Sequence, residues 1–147
     1  MSKYAARRLL FLVICLSSFI LIFFSYQLYF DFRSARQMIY LPYQNQVQDL
    51  IRADIQPRYD QYHHRMYLQI SLSSFQNPDL SKVSVPDAVA VEFGDDAIVP
   101  TEWTPVVETD TEKKGVLVFD NLPKDLKTFN VVIYLYEDMT FEWTIEQ

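Results

Sequence analysis

The chain has 147 residues, 50% of them hydrophobic and 16% aromatic, with 2 Gly, 1 Cys and a formal net charge of −6. That length allows one small domain beside an apolar N-terminal segment. The composition excludes a disordered chain, the single cysteine excludes an intrachain disulfide, and the acidic balance excludes a nucleic-acid surface.

Leu9 to Phe24 carries no charge, and only Ser17 and Ser18 are polar. Extended to Phe30 as a helix, this segment measures about 33 Å, enough for a hydrocarbon core of roughly 30 Å. Tyr26 and Tyr29 lie at its far end, where amphipathic rings favour the membrane interface. A cleaved signal needs a shorter apolar region and a small-x-small site, and Ser25-Tyr26-Gln27-Leu28-Tyr29 offers none. A lipoprotein signal needs a small residue before the cysteine, but Ile14 precedes Cys15. The segment therefore predicts an uncleaved anchor, with Arg7 and Arg8 at its cytoplasmic end rather than in a twin-arginine export signal.

Lys3, Arg7 and Arg8 precede the anchor with no acid among them, whereas Asp31 is mixed with Arg33 and Arg36 beyond it. The positive-inside rule then puts the N-terminus in the cytoplasm of an inner or plasma membrane. The C-terminal part is expected outside, in the periplasm or at the cell surface. From Met66 onward, 15 acids face 5 lysines. Such a domain is repelled from an anionic leaflet within a Debye length. Plain solubility explains the same charge equally well.

The expected boundaries are a cytoplasmic tail at 1–8, the anchor at 9–30, a partly helical connector at 31–64 and an extracytoplasmic domain at 65–147. In the connector, Val47, Leu50, Ile51 and Ile55 stand at helical spacing, with Pro57 as terminator. This short helix packs either on its own domain or on a partner.

From Arg65 the period becomes two. "MYLQISL" and "AVAVEF" alternate as half-buried strands, and "GVLVF" is apolar on both sides. "AIVPTEWTPVVE" is interrupted by Pro100 and Pro105, which suits an edge or bulged strand. "FNVVIYLY" and "MTFEWTIE" complete the set, with turns at "NPD", "FGDD", "TDTEKKG" and "DNLPKD". Six or seven short strands without intervening helices predict a small all-β domain, an antiparallel Ig-like sandwich. For the last hairpin, matching the apolar faces predicts Leu135 opposite Phe141, Ile133 opposite Trp143 and Val131 opposite Ile145.

Little points to catalysis. His63 and His64 are adjacent, so on a strand they would point apart, and no further His or Cys follows to complete a metal site. "FGDDA" and "ETDTEKKG" lack the spacing of a calcium loop. No nucleophile–base set or phosphate-cradling glycine loop is spelled out. The expectation is a non-enzymatic protein with no catalytic residues, cofactor or metal.

The aromatic residues carry the remaining signal. Tyr134 and Tyr136 alternate onto the face opposite Ile133 and Leu135, and Trp103 lies in the proline-interrupted strand. Such side chains anchor protein contacts or stack on sugars, or simply cover a sheet. With Val47, Leu50 and Ile51 they are the candidate partner or ligand contacts. The layout is similar to that of many bacterial envelope proteins. The leading expectation is an accessory or assembly subunit of an envelope membrane complex that contacts other membrane proteins. The alternative is an anchored module binding cell-wall carbohydrate through exposed aromatics.

Overall fold

Free of proline and glycine, the run Lys3–Ala35 forms one 33-residue helix, α1. In the computed structural model, which describes residues 3–35, 38–75 and 79–146, its span Tyr4–Arg33 is long and apolar enough to cross a membrane. Arg36, the Asn77–Pro78 turn and the Lys3 side chain lie outside the described residues. The two serines of the span satisfy their hydroxyls inside the helix. Ser17 Oγ donates to the Val13 carbonyl at 2.6 Å and Ser18 Oγ to the Ile14 carbonyl at 2.8 Å. That arrangement leaves neither serine hydroxyl needing water.

Residues 38–147 form a separate compact unit made almost entirely of antiparallel strands. These are β1 (Met38–Tyr40), β2 (Gln44–Gln48), β3 (Ile51–Asp60), β4 (Arg65–Ser74), β5 (Val89–Phe93) and β6 (Asp96–Ile98). They continue with β7 (Glu102–Glu108), β8 (Glu112–Phe119), β9 (Thr128–Ile133) and β10 (Met139–Thr144). The larger sheet runs β1-β3-β4-β8-β7, with β2 also paired to β3, and the smaller runs β10-β9-β5-β6. Leu68, Ile70, Leu72, Leu117 and Phe119 of the larger sheet meet Val91, Val131, Ile133 and Phe141 of the smaller in one core. Between β4 and β5 the chain makes a 3₁₀ turn, Leu80–Lys82, and a four-residue helix α2, Val85–Ala88.

The connector helix is corrected. Residues 44–48 and 51–60 are strands of the larger sheet, so 31–64 is not a helical connector: residues 31–35 complete α1 and residues 38–64 belong to the β domain. The same stretch that shows helical spacing also alternates Ile51, Ala53, Ile55, Pro57 and Tyr59, and these are the buried positions of β3. Burying that face against β4 outweighs the local helical pattern. Pro57 is tolerated inside the strand because its free side faces the break between β1 and β2. There the Leu41 N–H donates to its carbonyl at 3.1 Å. Ile51 is 2% exposed in this core, so it is withdrawn as a partner contact.

The β9–β10 register is corrected as well. Ile133 lies opposite Met139, Val131 opposite Phe141 and Phe129 opposite Trp143, so the connection spans 134–138 instead of three residues. The slip is even, so every apolar side chain keeps its face. One residue beyond β9, the Tyr134 N–H donates to the Ala88 carbonyl at 2.7 Å, in register with the β5–β9 pairing.

β2 also covers the free edge of β10. Gln44 Nε2 donates to the Glu142 carbonyl and Gln46 Nε2 to the Thr140 carbonyl, each at 2.7 Å. Alternate glutamines thus supply donors that a neighbouring strand would otherwise bring.

Candidate partner-binding hollow

Residues 79–88, ahead of β5, and the β9–β10 loop line a hollow of about 480 Å³. Its first wall is set by local capping. Asp79 accepts the Ser81 N–H at 2.8 Å, and hydrogen bonds from Ser81 hold its carboxyl below the usual carboxylate range. Leu80 is buried, and its N–H donates to the Asp110 carbonyl at 2.8 Å, which ties this wall to the β7–β8 turn. Pro86 stands at the start of α2, where its missing N–H is harmless.

The second wall is the β9–β10 loop, held to α2 by the Tyr134–Ala88 backbone bond. Tyr134 also donates its hydroxyl to Glu92 Oε1 at 2.9 Å, which pushes the phenol pKa up and keeps Tyr134 neutral. Tyr136 is 79% exposed and makes one rim. Val83, Ala88 and Leu135 give the hollow apolar surface, while Asp79, Asp87 and Lys82 give it charge. The hollow thus combines aromatic and aliphatic surface with charged side chains.

The sequence-derived contacts distribute unevenly around this hollow. Tyr134 and Tyr136 line it. Val47 and Leu50 are exposed on β2 and the β2–β3 turn. That turn lies at the same end of the domain as the hollow, since Gln48 Nε2 donates to Glu137 Oε2 at 2.5 Å. Trp103 is elsewhere, half-buried on β7 over Gly115 of β8, where an added Cβ would come within 2.6 Å of the indole. That packing removes it as an open stacking platform. Arg7 and Arg8 are exposed in the first turns of α1. Cys15 is exposed on the same helix.

The histidines occupy the β3–β4 turn. Asp60 accepts the N–H groups of Tyr62 and His63, and its Oδ2 lies 2.7 Å from His63 Nδ1. Among the described residues no group of three or more His, Cys, Asp or Glu side chains is placed to hold a metal ion.

Residues 79–88, half of the hollow, were not singled out by sequence reasoning. Ser84 followed by Pro86 and Asp87 is a helix-start signature, but a four-residue helix shows no periodicity to confirm it.

Nothing matches this chain, whether a protein family, a curated protein or a solved structure.

Proposed function

We propose that the chain is a non-enzymatic, single-pass membrane protein whose Ig-like domain contacts a partner protein as an accessory or assembly subunit of a cell-envelope membrane complex. The observation that carries this reading is the convergence of Tyr134, Leu135 and Tyr136 with Val83 on one open hollow. Exposed tyrosines beside aliphatic surface are typical anchors of protein contacts. The polar groups there are two carboxylates, a lysine, a serine and two phenols, which suit a rim of hydrogen bonds.

The strand order supports the Ig-like assignment. β3-β4-β8-β7 corresponds to strands A-B-E-D, and β10-β9-β5-β6 to G-F-C with one added edge strand. In that arrangement the two walls of the hollow are the B–C and F–G loops, the ones that bind antigen in antibody variable domains. The domain departs from antibody domains in having no cysteine pair, and its buried tryptophan is Trp143 on β10. The long apolar helix with Lys3, Arg7 and Arg8 before it supports an N-terminus in the cytoplasm and an extracytoplasmic domain.

Purification of the full-length chain in mild detergent tests this reading. The expected result is a stoichiometric membrane partner with the parent protein, and its loss from Tyr136→Ser at unchanged melting temperature. A parent chain that purifies alone, or a partner retained by Tyr136→Ser, contradicts it.

A further inference from the structure

The outer face of the larger sheet carries a second hollow, of about 290 Å³, that the proposed partner contact does not use. Gln56 and Gln69, directly opposed on β3 and β4, and Ser71 and Lys114, directly opposed on β4 and β8, line it together with Tyr43. Tyr43 is fixed in place. Its hydroxyl donates to Asp54 Oδ1, and Arg52 donates to Asp54 at 3.0 Å and to the Tyr43 oxygen at 3.3 Å. The Arg52 and Asp54 charges therefore compensate each other at 2.9 Å, leaving Lys114 as the unbalanced charge of the hollow. Among the described residues, the side chains of Gln56, Gln69, Ser71 and Lys114 make no hydrogen bond or ion pair.

That combination is selective. From residue 38 onward the chain has 18 acids against 8 bases, so a hollow with a cationic excess runs against the charge of its own domain. Lys114 offers a point charge to a carboxylate or phosphate. Each glutamine amide donates and accepts at once, as hydroxyl groups require, and Ser71 adds a third such group. The Tyr43 ring supplies a flat apolar wall suited to the C–H face of a sugar ring. The volume lies at the lower limit of ligand sites, which fits one ring and not an extended chain.

We infer that this hollow binds a single acidic sugar unit of the uronic acid class, with its carboxylate at Lys114 and its hydroxyls at Gln56, Gln69 and Ser71. The site is independent of the hollow at Tyr134 and Tyr136.

The test is a titration of the isotope-labelled full-length chain in detergent micelles, followed by NMR, with glucuronate, glucose and inorganic phosphate as separate probes. Glucuronate is expected to shift the Gln56 and Gln69 side-chain amides saturably. Glucose should bind about tenfold more weakly, because it lacks the charge-assisted contact. Phosphate alone should leave the two amides unmoved. Lys114→Gln and Gln69→Ala should each weaken glucuronate about tenfold with an unchanged circular dichroism spectrum. Tyr136→Ser should bind it like the parent, so this result stands apart from the partner test. Absence of a saturable shift at the amides, an unchanged affinity in Lys114→Gln, or equal binding of phosphate and glucuronate overturns the inference.

Discussion

Trp143 and Pro42, 101 positions apart, are joined by a 2.7 Å hydrogen bond from the indole Nε1–H to the proline carbonyl. The indole also stacks on Phe129 and Phe141, with ring centroids 5.6 Å and 6.0 Å away. One side chain of the smaller sheet thus anchors the bend between β1 and β2 of the larger one. Trp143→Phe keeps the stacking and deserts the carbonyl, so it should cost about 1–2 kcal/mol in urea unfolding. Trp143→Ala should cost about 3–5 kcal/mol. Equal losses in the two variants would refute the role given to the hydrogen bond.

Gln44 and Gln46 cap the outer carbonyls of β10. The double variant Gln44→Ala/Gln46→Ala leaves those acceptors uncovered on a sheet edge, where strands of other molecules can add. It should form concentration-dependent oligomers by light scattering. A monodisperse double variant with parental stability would show that the glutamines protect nothing.

The β2–β3 turn is built from Asp49 and Leu50, with φ of 50° and 63°. Two positive values in a two-residue hairpin call for glycine at the second position, and a leucine there is held at a cost of roughly 1–2 kcal/mol. Leu50 is nevertheless 50% exposed, so packing does not explain its presence. Leu50→Gly should raise stability by about 1 kcal/mol. A variant that melts lower than the parent would show that the leucine side chain contributes to the fold.

Asp60 should contribute to the acid limb of stability, together with Asp79 and Asp120, whose carboxyls are also held low. Burial pushes its carboxyl up, but the hydrogen bonds from His63 and the Tyr62 N–H outweigh that and hold it below the usual range. A depressed folded value means the contribution is complete above the ordinary carboxylate range, near about pH 4. It is lost as pH falls below that range through the folded value. Asp60→Ala should cost about 1–3 kcal/mol at pH 7 and flatten stability between about pH 4 and 2. An acid limb unchanged by the substitution would assign it to other carboxylates.

Strands with one covered face were legible in the sequence, because period-two alternation survives whatever the partners are. Met66, Leu68, Ile70 and Leu72 on β4 and Met139, Phe141 and Trp143 on β10 are all buried as that pattern requires. Pro105 marked an edge strand with an irregularity, between Pro105 and Val107 of β7, but the segment read as one strand is two: Pro100 lies between β6 of the smaller sheet and β7 of the larger. The β3 segment was misread because Ile51 and Ile55 satisfy both periods, and only its pairing with β4 decides between them. The hairpin register failed by an even number of residues for a related reason. Alternation fixes the face, while the Tyr134–Ala88 bond, which holds the start of the β9–β10 loop, joins residues 46 positions apart. Half of the partner hollow was visible as Tyr134 and Tyr136. The segment 79–88 was hidden because its placement depends on long-range bonds such as that from Leu80 to Asp110.

The proposed partner contact centres on the hollow beside Tyr136. A photo-crosslinking amino acid placed at Tyr136 of the full-length chain, activated in native membranes, tests it most directly. One adduct of defined mass is expected from position 136, and none from the also exposed Val106 on β7. No adduct at position 136, or the same adduct from both positions, would contradict it.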